Sequence, residues 1–375
     1  MRMIVWAGLS LGCVASFAAA GEIHFAADQG DLKSVKQLLS EDPKLADAPN
    51  KDGLTPLYLA ARRGHLKVAE HLIEQKAGVN LLASGDGPLH VAAEENQAEM
   101  IRLLLKHGAE IDLRNAAKDT PLHMACWEGA AESAVLLLKN KADLEAADEN
   151  DDRPLHLACA GGHEETVKAL LAAGAKIDVV NRQGYTPLHL PAKNGSVPVI
   201  KALLATKIPV DAKAANGFTA LHAAASSGQA EAVALLLPRS DPNLLTNQGM
   251  TPLYLAAFLG LDRVVEVLLT DNRVDVAAAD ADQSTPLHAA ANGGSAEVTQ
   301  RLLDRKAKVN ATDKAGDSPL HVAAARGRVA VARVLLKNGA DPQLKAKDGK
   351  TSLDRAQAFA QDKIISLLEG KDDQE

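Results

Sequence analysis

Apolar residues along the chain fall in two short bursts that return together every 32 to 34 residues. Residues 117 to 145 show one cycle. Leu122, Ala125 and Cys126 share one face of about two helical turns, and Ala134, Val135, Leu137 and Leu138 mark a second apolar face. Thr120 is placed to cap the first helix with its hydroxyl, and Pro121 follows at the first helical position, where a missing N–H costs nothing. Gly129 then lets the chain reverse. The pattern predicts two short antiparallel helices per cycle. Isolated helices below roughly 12 to 15 residues are marginal in water, so each pair needs a stacked neighbour to bury both faces.

The word Thr-Pro-Leu-His, or a close variant, starts each cycle, at Thr55, Gly87, Thr120, Arg153, Thr186, Thr219, Thr251, Thr285, Ser318 and Thr351. A fixed period of this size means one supersecondary unit stacked on copies of itself. The expected fold is an open, all-α repeat solenoid.

These residues resemble the ankyrin repeat, most closely at Gly184-Tyr185-Thr186-Pro187-Leu188-His189 and Gly316-Asp317-Ser318-Pro319-Leu320-His321. Ten copies carry the motif. An eleventh is implied upstream, where Ile23-His24-Phe25-Ala26-Ala27 and Gly30 fall in step with Leu57-Tyr58-Leu59-Ala60-Ala61 and Gly64. The resemblance implies a β-hairpin-like finger after each helix pair and a concave inner surface. At layers roughly 8 to 10 Å apart, eleven units would make a curved rod on the order of 100 Å long. The expected plan is a leader at residues 1–20, a repeat domain at 21–369 and a flexible tail at 370–375. Asp354 and Arg355 replace the His and apolar residue of the inner copies, as a polar terminal cap requires.

The leader is a separate matter. Arg2 precedes an apolar run from Ile4 to about Ala19, and Ala18-Ala19-Ala20 before Gly21 fits the small-x-small rule of signal peptidase. An uncleaved anchor is the alternative, although roughly 16 diluted apolar residues fall short of the 20 or so needed to span. A lipoprotein signal at Leu11-Gly12-Cys13 is a third reading, with Ser10 where such signals carry Leu. Cleavage is the expectation, which puts the protein in the periplasm first and outside the cell second. It would leave Cys126 and Cys159, which share one slot in adjacent repeats. One helix layer exceeds the roughly 7 Å reach of a disulfide, so both are expected as buried, reduced thiols.

The formal net charge is -7 and aromatics are 3 % of residues, with charges of both signs mixed. That argues against nucleic acid and against an anionic membrane surface, both of which need a basic patch.

Candidate chemistry fails motif by motif. Gly349-Lys350-Thr351 ends like a phosphate loop, but Leu344 stands where its first glycine belongs. His163-Glu164-Glu165 begins like a zinc-protease helix, yet Val167 occupies the second histidine position. Asp148, Asn150 and Asp152 alternate like a calcium loop, but Arg153 replaces its glycine and Cys159 its bidentate Glu. His90, His123, His156, His189, His222, His288 and His321 recur once per repeat, too far apart to share a metal, and each sits where its ring can bond the neighbouring finger. The expectation is a non-enzyme without cofactor or metal.

Function must then be binding. In ankyrin domains the residues flanking the finger glycine, and the two before the inter-helix glycine, need not pack the core. Trp127 and Phe258 occupy such helix slots, and Tyr185 and Phe218 such finger slots. Met250, Leu259 and Leu261 add apolar residues in the eighth repeat, where Tyr254 replaces the motif His. Large aromatics dominate interfaces, so Trp127, Tyr185, Phe218, Met250, Phe258 and Leu259 form the expected partner-binding set. Charge adds a second pattern: Arg62 and Arg63, then Glu94, Glu95, Glu128 and Asp148 to Asp152, then Arg326 and Arg328. The expected molecule is a monomeric exported scaffold for a protein partner; a secreted effector acting on a host or competitor protein is the alternative. Pro191, inside a predicted first helix, and Pro238 with a one-residue contraction should weaken or bend the array between about residues 186 and 245.

Overall fold

The helix boundaries of the cycle at residues 117–145 fall where its residues predict. Thr120 sits in extended backbone, Pro121 opens the helix Pro121–Glu128, and Gly129 closes it in the left-handed conformation at φ 75°. A side chain at Gly129 would also run into the imidazole of His163 in the next repeat. The second helix is Ala131–Lys139. Its buried stripe is Ser133, Ala134, Leu136 and Leu137, with Val135 and Leu138 only half-buried. The inward face is thus rotated from the one expected, because positions 130, 133, 134 and 137 keep the helical spacing.

The computed structural model describes residues 21–371 and divides into two compact units after Arg182. The leader expected at residues 1–20 lies outside the described residues, as do residues 372–375. The first unit holds five helix pairs: residues 21–29 with Leu32–Glu41, Pro56–Arg63 with Leu66–Glu74, Pro88–Glu94 with Ala98–Lys106, Pro121–Glu128 with Ala131–Lys139, and Pro154–Gly161 with Glu164–Ala172. The second holds six: His189–Asn194 with Val197–Leu204, Ala220–Ser226 with Ala230–Leu236, Pro252–Phe258 with Asp262–Leu268, Pro286–Gly293 with Ala296–Asp304, Pro319–Ala325 with Val329–Lys337, and Ser352–Ala358 with Asp362–Leu368. These are the first to eleventh repeats. Within each unit, first helices pack on first helices and second on second, burying Leu, Val and Ala between layers.

The fingers are tight turns rather than strands; among the described residues the one β-bridge is Ala83 with Asp86. An Asn or Asp side chain builds many of them, as Asn115 does by accepting the N–H groups of Ala117 and Asp119. Neighbouring fingers are joined by a backbone bond, for example Glu149 N–H to the Ala117 carbonyl at 2.9 Å and Lys347 N–H to the Ala315 carbonyl at 3.0 Å.

The motif histidines tie finger to helix. In all seven, Nδ1 accepts the N–H of the residue three before it, at 3.0 to 3.2 Å. The proton therefore sits on Nε2, which from His90, His123, His189, His222, His288 and His321 donates to a carbonyl of the following finger, that of Asp119, Asp152, Phe218, Met250, Asp317 and Lys350 respectively, at 3.0 to 3.2 Å. Where Tyr58 or Tyr254 replaces His, the capping threonine hydroxyl accepts the N–H of that tyrosine, a bond that Thr219 and Ser318 also make to His222 and His321. In the eleventh repeat the Asp354 carboxylate accepts the Thr351 N–H at 2.7 Å, and Arg355 reaches back to Asp317 at 2.8 Å.

The sixth repeat departs from this scheme. Its first helix begins at His189, two residues later than the proline starts elsewhere, because Pro191 has no N–H to give the Pro187 carbonyl. In the seventh, Pro238 sits in a short 3-10 turn, Leu237–Arg239.

Two predictions follow from the backbone and the imidazoles. The first turn of the sixth repeat should exchange its amides faster than those of Pro121–Glu128 or Ala220–Ser226; hydrogen exchange showing equal protection would rule out the weak point. Burial pushes His90, His123, His189 and His288 below the usual imidazole range, and His222 down to about 4. Below pH ~6.5 the unfolded chain binds protons that these rings refuse, and each such proton costs about 1.4 kcal/mol of stability per pH unit. This stability is complete above the unfolded value and drains away as pH falls towards 4. Carboxylates whose range is raised by burial, such as Asp119 and Asp152, act in the opposite sense only where they titrate themselves. Denaturant midpoints should drop between about pH 7 and about pH 5.5, and unchanged midpoints would mean the folded rings accept protons freely.

Candidate binding surfaces

Trp127 stands one residue before the end of the helix Pro121–Glu128, just past the buried Ala125 and Cys126. It is 54 % exposed. Its carbonyl accepts from His163 Nε2 at 2.9 Å, so the backbone beneath the ring is fixed by the next repeat. The first unit also gathers carboxylates near this helix. Burial, together with Glu128, Glu95 and Asp86, raises Glu94 above the usual carboxylate range. Burial and the charges of Asp86 and Glu94 likewise raise the Tyr58 phenol. The arginines expected to form a basic end are engaged: Arg62 and Arg63 both reach Asp28 at 3.1 Å. Burial opposes ionisation of Asp28, but the two guanidiniums outweigh it and hold that carboxyl low.

The second unit contains the other five expected binding residues. In the eighth repeat Phe258 is 43 % and Leu259 50 % exposed, at the end of the helix Pro252–Phe258. A side chain at Gly293 would overlap the Phe258 carbonyl oxygen, so the ninth repeat packs directly on the backbone that carries this pair. Met250 is half-buried in the finger, its carbonyl accepting from His222. Tyr254 is held rather than free: burial and the Asp280 carboxylate push its phenol up to about 12.

The finger aromatics behave differently from the helix aromatics. Tyr185 stacks on His189 with ring centroids 5.3 Å apart, and Phe218 leans on His222 at 5.6 Å. Both are half-buried. Between them lies a cavity of about 130 Å³ whose lining includes Leu190, Lys193 and Ala223. The sequence flagged both rings but neither Leu190 nor Lys193, which lie on the solvent side of a helix whose start Pro191 displaces.

The family model for ankyrin repeats (three copies) matches residues 23–115, 82–148, 122–214, 207–280 and 272–346. The chain belongs to the ankyrin-repeat family. Among curated proteins it is similar to the mouse Ankyrin repeat and SAM domain-containing protein 6, at 36 % identity over 95 residues, 25 % of this chain and 11 % of that protein. It is 37 % identical over 94 residues to the Drosophila melanogaster Tyrosine-protein kinase Shark, again 25 % of this chain and 10 % of the relative. The mouse Ankyrin repeat and SOCS box protein 11 matches at 34 % over 97 residues, 26 % of this chain and 30 % of its own length. The chain thus spans a small part of each relative. Ankyrin repeats are in general a non-catalytic interaction module, and they bind protein partners.

The ankyrin frame accounts for the motifs that resembled chemistry. Asp148 spends its carboxylate on the N–H groups of Asn150 and Asp152, at 2.7 and 2.8 Å, as a finger turn. His163 is the Trp127 carbonyl donor already described, and Thr351 caps the last repeat's first helix. Cys126 and Cys159 are buried free thiols, and burial raises both well above the usual thiol range. Among the described residues no helix is long and apolar enough to cross a membrane.

The two classes of aromatic make separable predictions. Trp127→Ala and Phe258→Ala should leave stability within about 0.5 kcal/mol, as exposed substitutions do. Tyr185→Ala and Phe218→Ala should each cost about 1 kcal/mol through the lost ring pair. Chemical denaturation of the four single variants tests this, and a large loss for Trp127→Ala would place that ring in the core.

Proposed function

We propose that this chain is an exported scaffold that holds a protein partner through first-helix ends and fingers within its units. The observation that carries the reading is the exposure of Trp127, Phe258 and Leu259 at the ends of short helices whose backbones are pinned by the next repeat. Large rings presented on a rigid frame lose little conformational entropy on binding, which is what interface anchors require. Family membership supports protein binding in general. The basic, apolar and small-residue run from Arg2 to Ala20 supports export, with the periplasm as its destination and the cell exterior as the second choice.

Affinity capture from the exported fraction of the native cell tests the reading, comparing the mature chain with the Trp127→Ala/Phe258→Ala double variant. A protein retained by the first and lost by the second is expected. Equal retention by both would remove these rings from the interface, and recovery of the chain only in the cytoplasm would overturn export. Recovery in the medium together with a partner from another organism would favour a secreted effector.

A further inference from the structure

We propose that the cavity between Tyr185 and Phe218 is an anchor pocket that takes one aliphatic side chain of a partner segment and pairs an adjacent Asp or Glu of that segment with Lys193. The proposal rests on the protein-binding reading above and specifies its chemistry in the sixth and seventh repeats. Size is the first argument. A cavity of about 130 Å³ is far below the roughly 300 to 1,000 Å³ of small-molecule sites. It equals about four water volumes at ~30 Å³ each, room for the four carbons of a Leu or Ile side chain while the peptide backbone stays outside.

The walls suit such a side chain. Tyr185 and Phe218 face the space from adjacent fingers, with Leu190 and Ala223 contributing aliphatic surface. The rings come preorganised, because each leans on a buried histidine whose own bonds run to the helix start and, from His189 and His222, to the following finger. Phe218 is further fixed by its N–H, which donates to Asn216 Oδ1 at 3.0 Å.

Charge sets the second half of the specificity. Lys193 is exposed and makes no hydrogen bond or ion pair among the described residues. No Asp or Glu lines the cavity, and its remaining polar lining comes from His189, Asn216, Ser226 and Ser227 beside the Tyr185 ring. The rim therefore carries a net positive charge with donors beside it, which favours a carboxylate and opposes a Lys or Arg in the same place. Since the cavity holds a side chain and no backbone, that carboxylate comes from the residue next to the anchor.

The test uses blocked six-residue peptides of Gly and Ser with a central Leu-Asp, Leu-Lys or Ala-Asp pair, added to the full mature chain with labelled Tyr and Phe rings. NMR shifts of the Tyr185 and Phe218 signals are expected with Leu-Asp, weakened about tenfold with Leu-Lys, the scale of one lost charge pair, and absent with Ala-Asp. Lys193→Glu, on the exposed surface, should reverse the preference between Leu-Asp and Leu-Lys without altering the fold. Absent shifts with Leu-Asp, equal binding of Leu-Asp and Leu-Lys, or an unchanged preference in Lys193→Glu would each overturn the pocket. Capture of a partner by the intact chain is read separately, so the pocket can fail while protein binding stands.

Discussion

The structure depends on a single recurring constraint: a first helix of six to eight residues cannot close its own N-terminus, so a neutral imidazole does it and ties that end to the next finger. The ring accepts on one nitrogen and donates from the other: it gives the capping residue's N–H a partner and adds a second donor to a finger carbonyl that already accepts a backbone N–H within its own finger. At His90, His123, His189, His222 and His288 burial and function reinforce each other, since the desolvation that lowers proton affinity preserves the tautomer that both bonds need. Removing the ring would leave the capping residue's N–H unpaired, a loss of about 1 to 3 kcal/mol where that group is buried, and would cut the tie to the next finger. The last first helix meets the same demand with a different residue, the Asp354 carboxylate accepting the Thr351 N–H, so what is fixed there is the demand rather than the residue.

Most of the fold was legible because it is periodic. Thr or Ser, Pro and Gly each have a local backbone preference that does not depend on distant residues, and repetition lets ten copies correct one another. The errors fall where a local rule meets a neighbour. The buried stripe of Ala131–Lys139 includes Ser133 and Leu136 while Val135 and Leu138 are left half-exposed, because the layers on either side decide which face is inward. Pro191, expected inside a first helix, instead makes that helix give up its first turn and start at His189.

The binding surface was less legible, since a slot in a repeat says that a side chain is free of the core and not what it touches. Trp127 and Phe258 occupy their slots as expected and point to water. Tyr185 and Phe218 occupy theirs too, but each has a histidine within stacking distance, a contact created by the finger folding back over its own helix start. Arg62 and Arg63 show the same effect in charge: read along the chain they make a basic end, but Asp28 in the preceding repeat draws both of them in. Lys193 and Leu190 carried no signal, because neither residue type is unusual on an exposed helix.

That difference between the aromatics has an energetic consequence for any partner. A Trp of roughly 200 Å² that is half exposed has about 100 Å² left to bury, worth about 2.5 kcal/mol at ~25 cal/mol per Å². That is the scale of an interface hot spot. Tyr185 and Phe218 have less area to offer, since part of each ring already covers a histidine, so their value to a partner lies in shape. They hold a space of fixed width open between two repeats, and a partner group gains there by fitting a cavity already formed instead of ordering one. Area without a cavity in one place, and a cavity with little free area in the other, imply two modes of contact within one repeat family: flat burial against Trp127 or Phe258, and insertion between Tyr185 and Phe218.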